Sequence, residues 1–204
     1  MKVKKMEFKQ IVVERYATKS FDGKKIPDTK LNELFDIIRY AASSYNIQPY
    51  VIKVVADAKL KEQLSAAAWN QPQIKSSSHL LIFCANKDIK ENISRIEKTM
   101  IKSGAKAEDI KSYIDLMSNF EKKMTDEQKL SWAQRQTYIA LGNAINGAKS
   151  LGFDSCPMEG FDPVAFSKIL KLPTNLVPTA LCTIGYANDT PRPKLRSSRE
   201  ELFI

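Results

Sequence analysis

Ala42-Ser43-Ser44-Tyr45-Asn46-Ile47-Gln48-Pro49-Tyr50 stands between two segments of different periodicity. Upstream, Leu31, Leu34, Phe35, Ile38, Ala41 and Ala42 recur at helical spacing; downstream, residues 50–56 form a Val-rich run that reads as a strand. The stretch is therefore a helix-to-strand loop. It carries paired hydroxyls, carboxamides at Asn46 and Gln48, a proline and aromatic rings. Such groups exchange hydrogen bonds without bringing charge, which suits a neutral heteroaromatic ring with polar edges. Ser, Asn and Pro are also ordinary turn formers, and the loop alone is open to either reading.

The chain around it has 204 residues, 43% of them hydrophobic, enough for one domain with a continuous core. Lys and Arg number 32 against 23 Asp and Glu, a formal net charge of +9 that makes an anionic partner plausible: nucleic acid, an acidic surface, or a phosphorylated cofactor or substrate. The excess is spread along the chain, as on a solvated surface. A membrane span would need a run of about 18 apolar residues, and none is found. Residues 1–10 lack the apolar core of a secretory signal. Cys84, Cys156 and Cys182 are odd in number and without CxxC spacing, which fits a reducing cytoplasm and disfavours a structural zinc. His79 is the only histidine, so a metal site or Ser-His-Asp triad would rest on it alone. A structural hydrogen bond at the start of a strand is the expected role. No GxGxxG, Walker loop, HExxH or internal repeat occurs, which disfavours a Rossmann site and a P-loop.

In chain order, Phe8, Ile11 and Val12 mark a first helix ending near Arg15. Arg15 and Lys19, four residues apart beside hydroxyls, could bind a phosphate or an electron-rich carbonyl, or simply end a helix in solvent. Asp28, after Pro27, is placed to cap the next helix. Residues 60–69 read as a helix, 69–78 as a polar connection, and His79-Leu80-Leu81-Ile82-Phe83-Cys84 as a buried strand. Residues 88–123 form a helical excursion broken at Ser103 and Gly104. Thr125 or Asp126 caps a long helix to about Ser150; at 25 residues it spans roughly 37 Å. Its small residues Gly142, Ala144, Gly147 and Ala148 permit close approach of another helix. Asp162-Pro163 begins a short helix through Phe166 and Leu170, and residues 177–186 are the last strand. The tail, residues 188–204, holds Arg192, Lys194, Arg196 and Arg199 among prolines.

Several stretches, in order and over nearly the whole chain, resemble the FMN-dependent nitroreductase family, in its oxygen-insensitive nitroreductase, flavin-reductase and dihydropteridine-reductase-like branch. They are Arg-x-x-Thr-Lys-x-Phe-Asp from Arg15 to Asp22, Ser-Ser-x-Asn-x-Gln-Pro from Ser43 to Pro49, Asn70 before a polar turn, Leu-Gly-x-Asp-x-x-Pro-x-Glu-Gly-Phe-Asp from Leu151 to Asp162, and Lys-x-Arg at Lys194 and Arg196. The resemblance implies an α+β fold: a mostly antiparallel sheet flanked by helices, with a long central helix, in an intertwined homodimer whose tails wrap the partner.

By the same resemblance, Arg15, Lys194 and Arg196 hold the FMN phosphate, with Tyr16 and Ala17 beside them where relatives often have His and Ser. Lys19 and Asn70 meet the pyrimidine edge, and Ser43, Ser44 and Asn46 run along the ring and ribityl chain. Pro157, Met158, Glu159 and Gly160 cover the other face, with Ser43, Ser44 and Asn46 from one subunit and Glu159 from the other. Gln73 stands where relatives often carry a second basic residue. Less positive charge there implies a lower flavin potential. No side chain acts as a catalytic acid or base: a hydride from NADH or NADPH reaches flavin N5, Lys19 and Glu159 tune the electronics, and a nitroaromatic, quinone, flavin or pterin then takes two electrons. Tyr113, Met117 and Phe120 are candidates to line the acceptor pocket. From the residues themselves, no metal site, no nucleic-acid partner and no membrane association is expected. Two other readings stay open: an FMN-binding relative with dehalogenating or flavin-fragmenting chemistry, and a basic nucleic-acid-binding module.

Overall fold

The computed structural model describes residues 6–204. The elements, in order, are α1 (Phe8–Glu14), α2 (Asp28–Arg39), β1 (Tyr50–Val55), α3 (Ala58–Ala66), α4 (Pro72–Ser76), β2 (His79–Asn86), α5 (Ile89–Lys102), α6 (Ala107–Lys122), α7 (Asp126–Ser150), β3 (Asp154–Met158), α8 (Pro163–Leu170), β4 (Leu176–Gly185) and α9 (Arg199–Leu202). The strands form one antiparallel sheet in the order β1-β2-β4-β3.

Every residue of β2 is buried, because this central strand is covered on both faces. Leu81 and Phe83 face α2 and α7, together with Ala144, Ala148 and Cys182. Leu80, Ile82 and Cys84 alternate to the other face and meet Leu64, Ile74 and Phe166 from α3, α4 and α8. A third core lies beyond the sheet, where Ile89, Ile93 and Ile96 of α5 and Met117 of α6 pack on Trp132 of α7 and on Ile47.

The long helix α7 begins where the sequence puts it. Thr125 accepts from Gln128 N while the Gln128 side chain accepts from Thr125 N, a complete capping box. Its small-residue face meets α2: a Cβ built on Gly147 would come within 2.9 Å of Ile37 Cγ2, whereas Gly142 has nothing within 4 Å. Three local expectations need correcting. Pro27 occupies the cap position of α2, and Asp28 is the first helical residue, where its carboxylate still meets the positive helix end. The helix expected over 60–69 runs Ala58–Ala66, capped by Asp57, because Trp69 and Asn70 turn left-handed at φ 55° and 54°. The short helix α4 stands where a polar connection was expected, and β3 lies in the Leu151–Asp162 stretch, to which no element was assigned. β3 tolerates Pro157 because it is an edge strand.

Candidate active site

The segment Arg15–Lys19 has no regular structure of its own and is fixed by its neighbours. Thr18 N donates to Ser155 O at 3.2 Å and Ala17 bridges to Ser155, so the segment lies along the end of β3. The tail returns beside it: Asp22 N donates to Tyr186 O at 2.9 Å and Asn188 N to Ser20 O at 2.8 Å. Between these two backbones lies a pocket of about 820 Å³, lined by Arg15, Tyr16, Ala17 and Lys19 on one side and Lys194 and Arg196 on the other.

The basic side chains of this pocket repel one another. Burial lowers the pKa of the Arg15 guanidinium, and the Arg196 charge lowers it further. Lys194 is lowered by burial, then by Arg15 and Arg196. Among the described residues, none of the three is within 4 Å of a carboxylate. Lys194 instead donates to the carbonyls of Val12, at 2.9 Å, and Val13, which terminates α1. Cations drawn from both ends of the chain, mutually repelling and without a carboxylate partner, are a receptor for an anion such as a phosphate.

From this cradle the site continues along β3. Lys19 Nζ lies 3.4 Å from Cys156 Sγ; burial raises the pKa of that thiol and the Lys19 charge opposes the rise. Past Pro157 and Met158 the chain reaches Glu159 and Gly160, which face the α3–α4 connection. Gln71 Nε2 donates to Gly160 O at 2.7 Å, and a Cβ on Gly160 would stand 2.7 Å from the Trp69 ring. Glu159 accepts from Tyr138 of α7 at 2.5 Å. Gln73 is buried, with its amide 3.1 Å from Gln71 Oε1 and 3.6 Å from Met158 Sδ. Asn70 is the left-handed second residue of this turn.

Ser43, Ser44 and Asn46 lie elsewhere. They precede β1, the sheet edge opposite β3, about 14 Å away across three strand spacings. Their loop is strained: Tyr45, Asn46 and Gln48 are left-handed, at φ 54°, 54° and 49°. Each such non-glycine residue costs on the order of 1–3 kcal/mol and persists only where its surroundings over-determine it. Here they do so through side chains. Gln136 of α7 accepts from Ser44 N at 2.8 Å, Tyr113 of α6 donates to Tyr45 O at 2.9 Å, and Arg95 of α5 donates to Gln48 O at 3.0 Å.

A profile of the Nitroreductase family matches residues 12–186. The oxygen-insensitive NADPH nitroreductase of Helicobacter pylori is 31% identical over 199 residues, covering 95% of this chain and 93% of its own. A Staphylococcus saprophyticus protein named as an NAD(P)H nitroreductase is 30% identical over 201 residues, 92% of this chain and 91% of that one. The chain belongs to the nitroreductase family. Among solved structures, a Bacillus subtilis protein named as a nitroreductase, ydfN, superposes with a TM-score of 0.89 at 26% identity, covering 97% of each chain. An Exiguobacterium sibiricum protein solved in complex with FMN superposes at 0.89 over 97% of this chain and 96% of its own; at 19% identity it shows the fold alone.

On this nitroreductase scaffold, the residues named from the sequence fall into three groups. Arg15, Tyr16, Ala17, Lys19, Lys194 and Arg196 line the cradle; Pro157, Met158, Glu159 and Gly160 lie at the end of β3 and just after it, with Gln73 buried against Met158 and Asn70 in the adjoining α3–α4 connection; Ser43, Ser44 and Asn46 precede the opposite edge strand. Of the acceptor candidates, Met117 is wholly buried in the third core, Tyr113 spends its hydroxyl on the strained loop, and Phe120 packs between Tyr45 and Trp132, with ring centroids 5.1 and 5.4 Å away. Residues that sequence reasoning passed over include Arg95, Gln136, Tyr138 and Asp189. Their partners lie far along the chain, and only the acid of Asp189 beside a basic tail gave a local signal.

Proposed function

We propose that this nitroreductase-family chain binds FMN and, as a homodimer, carries two electrons from NADH or NADPH to a small acceptor such as a nitroaromatic, a quinone, a flavin or a pterin. The observation that carries the reading is the cation cluster of Arg15, Lys194 and Arg196, which has the charge to receive a phosphate monoester and, among the described residues, no carboxylate within 4 Å to neutralise it. When bound, FMN supplies the two-electron redox chemistry.

The chain's own residues bind, orient and tune. Arg15, Lys194 and Arg196 would hold the phosphate, and Lys19 places a cation further along the same surface, where negative charge on a reduced ring is stabilised. Asn70 and the backbone of Glu159 and Gly160 offer donors and acceptors to a planar ring, and the missing Cβ of Gly160 lets the Trp69 ring pack against this turn. Tyr138 fixes the Glu159 carboxylate. The separation of Ser43, Ser44 and Asn46 from this surface supports a dimeric site, one subunit giving the β3 side and the other the loop before β1. The free, buried thiols of Cys84, Cys156 and Cys182 suit a reducing cytoplasm.

Steady-state kinetics of FMN-loaded protein, with NAD(P)H varied at several concentrations of a quinone, test the reaction order. Parallel double-reciprocal lines support donor and acceptor using one site in turn; intersecting lines rule that out.

A further inference from the structure

The pocket that gathers the basic residues also contains a carboxylate, Asp189. By charge alone an acid there opposes the binding of an anion. Its geometry argues for a different contribution. Asp189 Oδ1 accepts from the Tyr16 hydroxyl at 2.8 Å, Oδ2 accepts from the backbone N–H of Lys19 at 2.7 Å, and the Asp189 carbonyl also accepts from Tyr16, at 3.0 Å. These bonds join positions 173 and 170 residues apart. Upstream, Ala187 N donates to Asp154 and Asn188 N to Ser20 O. Beyond Asp189 the tail is exposed, and Lys194 is the next residue to reach the N-terminal segment.

We propose that Asp189 is a positioning residue of the anion cradle. It fastens the tail that carries Lys194 and Arg196 to the segment that carries Arg15 and Lys19, so that cations from opposite ends of the chain converge on one anion. The gain in alignment exceeds the electrostatic opposition of its own charge. This rests on the FMN reading above.

Charge and alignment make opposite demands, and two substitutions separate them. Asp189→Ala removes both the negative charge and the fastening. Asp189→Asn removes the charge but keeps an oxygen for Lys19 N–H and offers an amide to the Tyr16 oxygen. Dissociation constants of the apoprotein for FMN and for riboflavin, which lacks the phosphate, are read by flavin fluorescence. Asp189→Ala is expected to weaken FMN roughly tenfold, the scale of losing a charge-assisted hydrogen bond, and to leave riboflavin unchanged; Asp189→Asn binds FMN at least as tightly as the wild type. Tyr16→Phe, which removes the hydroxyl and leaves the acid, gives a smaller loss confined to FMN and covers the case in which Asp189→Ala does not fold. Tighter FMN binding by Asp189→Ala, or equal weakening of FMN and riboflavin, overturns the proposal. Wild-type protein that binds neither flavin overturns the FMN reading beneath it.

Discussion

The hydroxyl of Tyr113 donates to the carbonyl of Tyr45 at 2.9 Å, which ties α6 to a loop held in left-handed backbone. With Arg95 bonded to Gln48 O, it makes the excursion of α5 and α6 a brace for the loop that carries Ser43, Ser44 and Asn46. Tyr113→Phe keeps the ring and deletes the bond. The loss of about 1 kcal/mol for one hydrogen bond corresponds to a fall of roughly 2–4 °C in Tm for a chain of this size. Amide exchange in residues 44–48 is expected to speed up while β2 stays protected; unchanged exchange in the loop would remove the brace.

Two glycines of α7 should respond with opposite signs. Alanine gains about 1 kcal/mol over glycine inside a helix. At Gly142, with nothing within 4 Å of an added Cβ, that gain stands alone and the protein is expected to be stabilised. At Gly147 the new methyl would lie 2.9 Å from Ile37 Cγ2 and 3.0 Å from Leu34 Cδ1, and Leu34 is fully buried. Overpacking of about 1–3 kcal/mol outweighs the propensity there. Urea midpoints of Gly142→Ala and Gly147→Ala give the comparison, and two shifts of the same sign would contradict it.

Stability should fall on mild acidification through His79. Burial, aided by Lys61 and Lys25 and opposed by Asp28, holds its imidazole below the ordinary value. Nδ1 pairs with Ser78 Oγ at 2.8 Å; that oxygen already accepts from Ile26 N, which leaves its proton for the neutral ring. The folded protein therefore takes up this proton less readily than the unfolded chain. The contribution is complete above the unfolded value near 6.5 and is lost as pH falls through the folded one, at no more than about 1.4 kcal/mol per pH unit. His79→Gln is expected to flatten the urea midpoint between neutral pH and about pH 5 relative to the wild type; an identical pH slope in both would assign the loss elsewhere.

Gln73 stands buried between Gln71 and Met158, next to the wall proposed for the flavin. Gln73→Lys would bring a cation towards the charge of the reduced ring and raise the two-electron potential by a few tens of millivolts, where about 30 mV equals about 1.4 kcal/mol. Potentiometric titration of the FMN-loaded variant decides it, and a potential at or below the wild type's counts against the assignment.

Long periodic segments carried the fold in the sequence. The stripe Ile89, Ile93, Ile96 and Met100, the break at Ser103-Gly104 and the Thr125 cap all appear where local pattern puts them. β3 was illegible because five residues containing a proline make no alternation, and α4 because its five residues are mostly polar. The cradle was legible as two basic stretches whose convergence only the motif order suggested. Asp189, Tyr138, Gln136 and Arg95 were not, since each acts through a partner distant in sequence. The split between Ser43–Asn46 and the β3 surface follows from the strand order, which periodicity does not encode.

The visible spectrum of the purified protein incubated with FMN, recorded before and after anaerobic addition of NADH and then NADPH, with nitrofurazone or a quinone added last, tests the central claim most directly. The expected result is a bound-flavin spectrum that bleaches with at least one nucleotide and returns with the acceptor. Protein that stays colourless after incubation and gel filtration, or bound flavin that neither nucleotide bleaches, would contradict it.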